Sequence, residues 1–247
     1  MNGAVASGWG LIAGLLLTIT TAGASTETPA KVLRVYGPGG PHQVLTECAD
    51  LFEEKHGIDV IVMKALPHDL DRKLPEDGDI YYGGAEYMLE DFDRRNPGIL
   101  DMTSAENLHA RRIGIVVRKG NPLNITGIAD LRREGVDILD VKLESMREFH
   151  GSTPGRIGNV RHLVYTGQEG INAWRLNPGI DAWVTYKSWH VSLEDEADFI
   201  EIPGARAVRF TPMAITQRTP HRQEAEKFLT FLRSKEARHI FLKHGWD

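Results

Sequence analysis

The chain has one cysteine among 247 residues. A single thiol closes no internal disulfide, and without a Cys-x-x-Cys pair nothing suggests a thiolate metal site. Basic residues are not in excess: 29 Lys plus Arg stand against 34 Asp plus Glu, a formal charge of −5. A chain so balanced has no broad positive field to gather nucleic acid, so any attraction for an anion has to be local. The ten histidines are scattered, with no HExxH and no paired ligand spacing, which argues against a metal centre. There is no GxSxG elbow, no GxGxxG and no phosphate loop ending in Lys-Ser/Thr, so hydrolase and nucleotide-binding readings lose their usual supports. Nothing calls for a cofactor. Hydrophobic residues at 41% and charged residues at 26% do suffice for a packed core, which excludes a disordered chain or a fibre.

Long apolar runs are missing too. The first 24 residues carry no charged side chain, and Leu11 to Leu17 is their apolar core. It is too short to cross a bilayer, for which about 20 residues are needed. Ala22-Gly23-Ala24 puts small residues at the −3 and −1 positions of a cleavage site. The pattern reads as a secretory signal peptide over residues 1–24, with an uncleaved anchor as the other reading. No second long apolar segment follows. The expected product is an exported, periplasmic protein with no stable membrane insertion after cleavage.

Strand and helix patterns alternate beyond that point. Val32 to Tyr36 reads as a strand, and from Pro41 to His56 an apolar stripe of Val44, Cys48 and Phe52 marks a helix that stops at Gly57. Cys48 sits on that stripe and is expected to be buried. Ile58 to Val62 and Asp79 to Tyr82 read as strands, with a helix from Glu86. Further strands are expected at Ile113–Val117, Val136–Val141, His162–Tyr165, Ala182–Thr185, Phe199–Ile202, Val208–Phe210 and Met213–Thr216. Helices are expected over Leu143–His150 and Gln168–Arg175, and Gly151–Gly158 reads as a loop. Thr219 as cap and Pro220 as first residue open a terminal helix, and Ser234 opens another. This order predicts an α/β fold with a mixed, mostly parallel sheet.

The most informative segment is Gly37-Pro38-Gly39-Gly40-Pro41-His42, between a strand and a helix. Glycines let the backbone approach a ligand, and the following helix offers free N–H groups and the positive end of its dipole. Gly83-Gly84-Ala85-Glu86 repeats the arrangement after another strand. Thr166-Gly167-Gln168 opens a third helix, and Thr185-Tyr186 ends a strand with a hydroxyl and a phenol. Each alone also fits ordinary turn chemistry; their shared position after strands, where ligands of open sheets bind, supports one cleft. Arg111-Arg112 and Arg132-Arg133 read as solvated faces or lobe contacts rather than anion ligands. Trp174, Trp183 and Trp189 read as core or cleft lining.

The segments RVYGPGGPH (34–42), DIYYGGAEYMLEDF (79–92), VRKGNP (117–122), DAWVTYKSW (181–189) and the ending EAEKFLTFLRSKEARHIFLKHGW (224–246) carry a resemblance. The chain resembles the type II periplasmic solute-binding proteins, in the branch with molybdate- and sulfate-binding proteins, and within it the accessory colonization factor C group. Lys142–Gly158 fits least, because Leu143-Glu144-Ser145 stands where a glycine-rich turn is expected. The resemblance implies two α/β lobes, 25–110 with 205–247 and 111–204, joined by crossing strands around a small anion. It implies ligand contacts from Gly39, Gly40, His42, Gly84, Ala85, Glu86, Gly167, Thr185 and Tyr186, with Arg118 beside Tyr186. It also implies a monomer that hands its ligand, a di- or tricarboxylate rather than sulfate or molybdate, to an ABC-type permease. Aconitate isomerase resembles the chain through the same GPGGP and DAW segments. That alternative would use His42 or Glu86 as a base and Tyr186 as a proton carrier, without a cofactor.

Overall fold

The computed structural model describes residues 32–149 and 159–247. The segment read as a signal peptide and the loop Gly151–Gly158 lie outside them.

In chain order the first elements are β1 (Val32–Gly37), α1 (His42–His56), β2 (Asp59–Lys64), α2 (Pro67–Asp77), β3 (Ile80–Tyr82), α3 (Glu86–Arg95) and β4 (Glu106–Arg118). Then come β5 (Ile138–Val141), β6 (Val160–Val164), α4 (Gly167–Leu176), β7 (Ala182–Tyr186), the short α5 (Lys187–His190) and β8 (Ala197–Glu201). β9 (Val208–Ile215), α6 (Arg222–Leu232) and α7 (Lys235–Lys243) complete the chain. The sheet order is β2-β1-β3-β9-β4-β7-β5-β6, with β8 also on β4.

β1 runs parallel to β2 and β3, and β5 runs parallel to β6 and β7. β9 joins the first group antiparallel through β3, and β7 and β8 flank β4 antiparallel in the second. Each group has its own interior. In the first, Val44, Cys48 and Phe52 of α1 pack with Phe228, Leu232 and Phe241 from the last two helices. In the second, Ile113, Ile115 and Val117 pack with Ile138 and Val184 on one face of the sheet, while Trp174 and Trp183 fill the other. The α/β reading therefore holds, with two groups of strands each around its own interior, but the sheet is not mostly parallel: among the described residues four strand pairings are parallel and four antiparallel.

β4 connects the two interiors. Its residues 106–112 pair with β9, and from Ile113 it pairs with β7, starting opposite Tyr186. The chain returns from β8 to β9, so both groups are bridged by neighbouring antiparallel segments. Arg111 stands two residues before β4 changes partners, where the two lobes meet.

Four local expectations change. β4 is much longer than Ile113–Val117, because β9 supplies a partner for the polar stretch Glu106–Arg112. Val208–Phe210 and Met213–Thr216 merge into the single strand β9; Pro212 within it still accepts a hydrogen bond from Gly83 N–H through its carbonyl. α6 starts at Arg222, not after Thr219, whose hydroxyl instead accepts from the His221 N–H. Residues 142–149 form two 3-10 turns rather than an α-helix. Ser145, at φ 54°, takes the left-handed conformation in which a glycine was expected.

Candidate functional site

A cleft of about 820 Å³ opens where the two lobes meet. One wall consists of Pro38, Gly39, Gly40, His42, Gln43 and Val44 at the start of α1, with Gly84 and Met88 at the start of α3. The facing wall consists of Leu143, Glu144, Thr166, Gly167, Gln168, Tyr186, Ser188 and Trp189. Arg111 lies between the walls, and Lys64, Asp69, Lys243, His244 and Trp246 stand along the rim and floor.

Arg111 is the central charge. Its side chain is fully buried, and burial pulls its pKa below the usual arginine value. One Nη donates to the Gly84 carbonyl at 2.8 Å and the other to the Ser188 hydroxyl at 2.9 Å. Nε is buried without a partner. The guanidinium is stacked 3.8 Å from the Tyr186 ring centroid and 4.8 Å from that of Trp246. Among the described residues no carboxylate pairs with it at ion-pair distance. A buried cation without a counter-ion is costly, and an anion in the cleft would relieve that cost through charge-assisted hydrogen bonds.

The glycine turns bring the backbone onto this cation. A Cβ on Gly40 would stand 3.2 Å from Nη2 of Arg111, and one on Gly84 would stand 3.4 Å from Nη1. α1 is capped by Pro41 and α3 by Ala85, and neither cap supplies a side-chain hydrogen bond. The His42 and Met88 N–H groups donate to the Gly39 and Ala85 carbonyls at 3.3 and 3.0 Å; the other first-turn N–H groups have no side-chain cap and stand at the positive ends of two helix dipoles. On the opposite wall a Cβ on Gly167 would come within 2.3 Å of the Trp189 indole, so only glycine lets that ring close the cleft. α4 is closed differently. The Thr166 hydroxyl accepts from the Glu169 N–H at 3.2 Å, while Glu169 accepts from the N–H of Tyr165 and of Thr166. That is a complete capping box.

Glu144 is the unexpected group. It is 7% exposed and lines the cleft. Its Oε2 accepts from the Thr185 hydroxyl at 2.7 Å, and its Oε1 is buried without a well-formed hydrogen bond. Burial raises its pKa to about 7 despite the opposing pull of Thr185, Arg111 and Trp189. On the first wall, His42 is held below the ordinary imidazole value by burial and by Lys64.

Of the residues singled out in the sequence, Gly39, Gly40, His42, Gly84, Gly167 and Tyr186 line the cleft. Ala85, Glu86 and Thr185 do not. Ala85 is buried as the cap of α3, and Thr185 stands behind Glu144. Glu86 accepts from the Phe210 N–H at 3.0 Å and so ties α3 to β9. Arg118 is also remote: it stacks on Trp174 and donates to the carbonyls of Ile180, Trp174 and Asn177. Arg111, read as a solvated face or lobe contact, is the buried heart of the site. A usable signal existed, since Arg111 is in phase with Ile113, Ile115 and Val117 on the inward face of β4. Glu144 had no comparable signal.

The model of the family described as bacterial extracellular solute-binding protein matches residues 33–144 and 156–247. The chain belongs to that family. No curated protein sequence matches this solute-binding protein. Among solved structures it is similar to PEB3 from Campylobacter jejuni, at 25% identity, covering 87% of this chain and 98% of that chain, with a TM-score of 0.70. A crystal structure of PEB3 bound to L-phospholactate is similar to the same extent, at a TM-score of 0.71. The sulfate-binding protein SubI from Mycobacterium tuberculosis H37Rv, at 16% identity, covers 87% of this chain and 86% of its own, with a TM-score of 0.68. At that identity SubI attests to the fold alone.

Proposed function

We propose that this solute-binding protein takes up a small organic anion, a di- or tricarboxylate, and feeds it to an ABC-type permease. The observation that carries the reading is Arg111, a buried guanidinium without a carboxylate partner that faces two uncapped helix starts across glycine. One acidic group of the ligand sits against Arg111 and the first-turn N–H groups of α1 and α3. A second acidic group reaches the rim, where Lys64 is exposed. Lobe closure about β4 and β9 expels water and strengthens each of these bonds. The L-phospholactate of PEB3, itself a small organic anion, supports the size and charge of this ligand. The sulfate of SubI would use the charge but not the length of the cleft.

Thermal shift with citrate, cis-aconitate, trans-aconitate, sulfate and molybdate tests the reading, because a ligand of the folded state raises stability by mass action. A shift with the organic acids supports it. A shift with the oxyanions alone overturns the ligand class, and no shift overturns the reading. Export accompanies it: we place cleavage after Ala24, so periplasmic protein should have the intact mass of a chain starting at Ser25. A full-length chain in the membrane fraction would refute that step.

One observation favours a second reading, a cofactor-free isomerase acting on aconitate. His42 lines the cleft with its pKa lowered, which leaves a neutral imidazole to act as base at neutral pH. It would remove a proton from the methylene carbon of the ligand while Arg111 stabilises the resulting carbanion, and the proton held by His42 would return to the other end of the allyl system through Tyr186, which takes one up as it gives one on, so that both side chains end as they began. Glu86, turned to Phe210, has no such access. Proton NMR of trans-aconitate in deuterated water decides: cis-aconitate formed at a catalytic rate and lost in His42→Ala supports the isomerase, and binding without turnover leaves the receptor.

A further inference from the structure

An anion receptor has little evident use for a buried acid in its cleft, yet Glu144 is 93% buried there, held by a second buried residue. The Thr185 hydroxyl engages Oε2 and orients the carboxyl group. Oε1 is left without a well-formed bond. The 3-10 turn that presents Glu144 is itself anchored from the other lobe, because the Tyr87 hydroxyl on α3 donates to the Leu143 carbonyl at 3.0 Å. The charged and titratable groups that face Glu144 are Arg111 from β4, Asp140 from β5, Tyr87 from α3 and Tyr186 from β7. Arg111 is the cation among them, and it does not reach ion-pair distance.

We propose that Glu144 is a specificity residue whose Oε1, near the Trp189 indole but without a well-formed bond, accepts a hydrogen bond from a donor on the ligand, so that the cleft selects hydroxy acids over acids lacking a hydroxyl. The proposal rests on the anion reading above and narrows its substrate class. Its physical basis is the asymmetry of buried hydrogen bonding. A carboxylate is an acceptor only. Facing a second anion with no donor between them, it stays unpaired and repels; facing a hydroxyl, it is satisfied. Sites built to bond a hydroxyl reject analogues without one strongly for this reason. Protonation changes the outcome. With Oε2 engaged by Thr185, the proton of the neutral acid resides on Oε1, so a neutral Glu144 turns from acceptor to donor toward an anion. The titration of Glu144 near neutrality puts that change within reach of ordinary buffers. Selectivity should be high at alkaline pH and relax as the pH falls.

Calorimetry with malate (both enantiomers), succinate and sulfate at pH 6.5 and 8.5 tests this on the mature protein. The expected result at pH 8.5 is a preference for malate over succinate of about tenfold or more, the size of one buried hydrogen bond to a charged group. At pH 6.5 succinate and sulfate should tighten and the preference should shrink. Glu144→Gln should lose both the preference and its pH dependence while still binding anions. A malate-to-succinate ratio that stays flat with pH in the wild-type protein overturns the proposal without any variant. So does a Glu144→Gln protein that keeps the wild-type ratio and slope, or sulfate binding alone with no pH dependence. Absence of binding by all three anions removes the anion reading itself, and this inference with it.

Discussion

The two walls of the cleft are built from the same kind of element, a helix opening after a strand, but they use it differently. On the wall of α1 and α3 the helix starts are left uncapped by side chains, and glycine presses them against Arg111. On the wall of α4 the capping box of Thr166 and Glu169 engages the N–H groups of Tyr165, Thr166 and Glu169, and beside it stands a buried acid, Glu144. One wall supplies positive potential with little discrimination. The other adds an acid, Glu144, whose hydrogen-bonding demands are specific. The comparison teaches that affinity and selectivity can be divided between lobes: backbone donors take any anion, whereas a fixed side chain distinguishes among them.

The division can be broken most severely at Arg111. Arg111→Met should lower affinity for the best organic acid by roughly a hundredfold to a thousandfold. The melting temperature without ligand should hold within a few degrees, since a buried cation with no carboxylate partner adds little stability. Calorimetry and thermal melts check both parts.

Next comes Glu144, through stability. Its pKa is about 7 in the folded protein against an ordinary 4.5. The folded state thus binds the proton more tightly than the unfolded state. The associated stability is complete below the lower value and disappears as pH rises through about 7. Glu144→Gln should therefore match the wild type near pH 4.5 and exceed it at pH 8 by roughly 3 kcal/mol. Denaturant titrations at the two pH values would show it, and equal stability at pH 8 would mean the acid ionises freely.

A change on the first wall should be smaller. Gly40→Asp places a carboxylate beyond a Cβ that would itself stand 3.2 Å from the guanidinium. It should act as a built-in competitor, weakening the ligand by about thirtyfold, roughly 2 kcal/mol. Unchanged affinity in a folded variant would locate the anion away from Arg111.

The smallest effect is expected on the capped wall. Glu169→Ala removes half of the capping box and should cost about 0.5–1 kcal/mol of stability. Affinity should stay as it was, because Glu169 does not line the cleft. A large loss of binding there would show that α4 contributes more than side-chain selection.

Much of the fold was legible because local chemistry and tertiary demand agree. The apolar stripe of Val44, Cys48 and Phe52 predicts α1, and these residues are its buried face. Ser234 predicts the start of α7 and accepts from the Ala237 N–H. The glycine turns before α1 and α3 were legible as ligand-facing only together, because both follow strands, where ligands of open sheets bind; each alone also fits ordinary turn chemistry. Where local signals were weak, neighbours decided. The polar residues 106–112 form a strand because β9 lies beside them, and Pro212 stays in β9 because its carbonyl still finds Gly83.

By itself, the sequence determined the alternation of strands and helices and the glycine turns that open α1 and α3, since each depends on residues a few positions apart. Only the tertiary structure decided which charges meet. Arg111, Glu144 and Thr185 are separated by 33 and 41 residues along the chain, and no periodicity links them. Whether an arginine is solvated or buried, and whether a glutamate titrates near 4.5 or near 7, is set by desolvation and by partners brought from other strands. Those quantities do not exist until the sheet has folded.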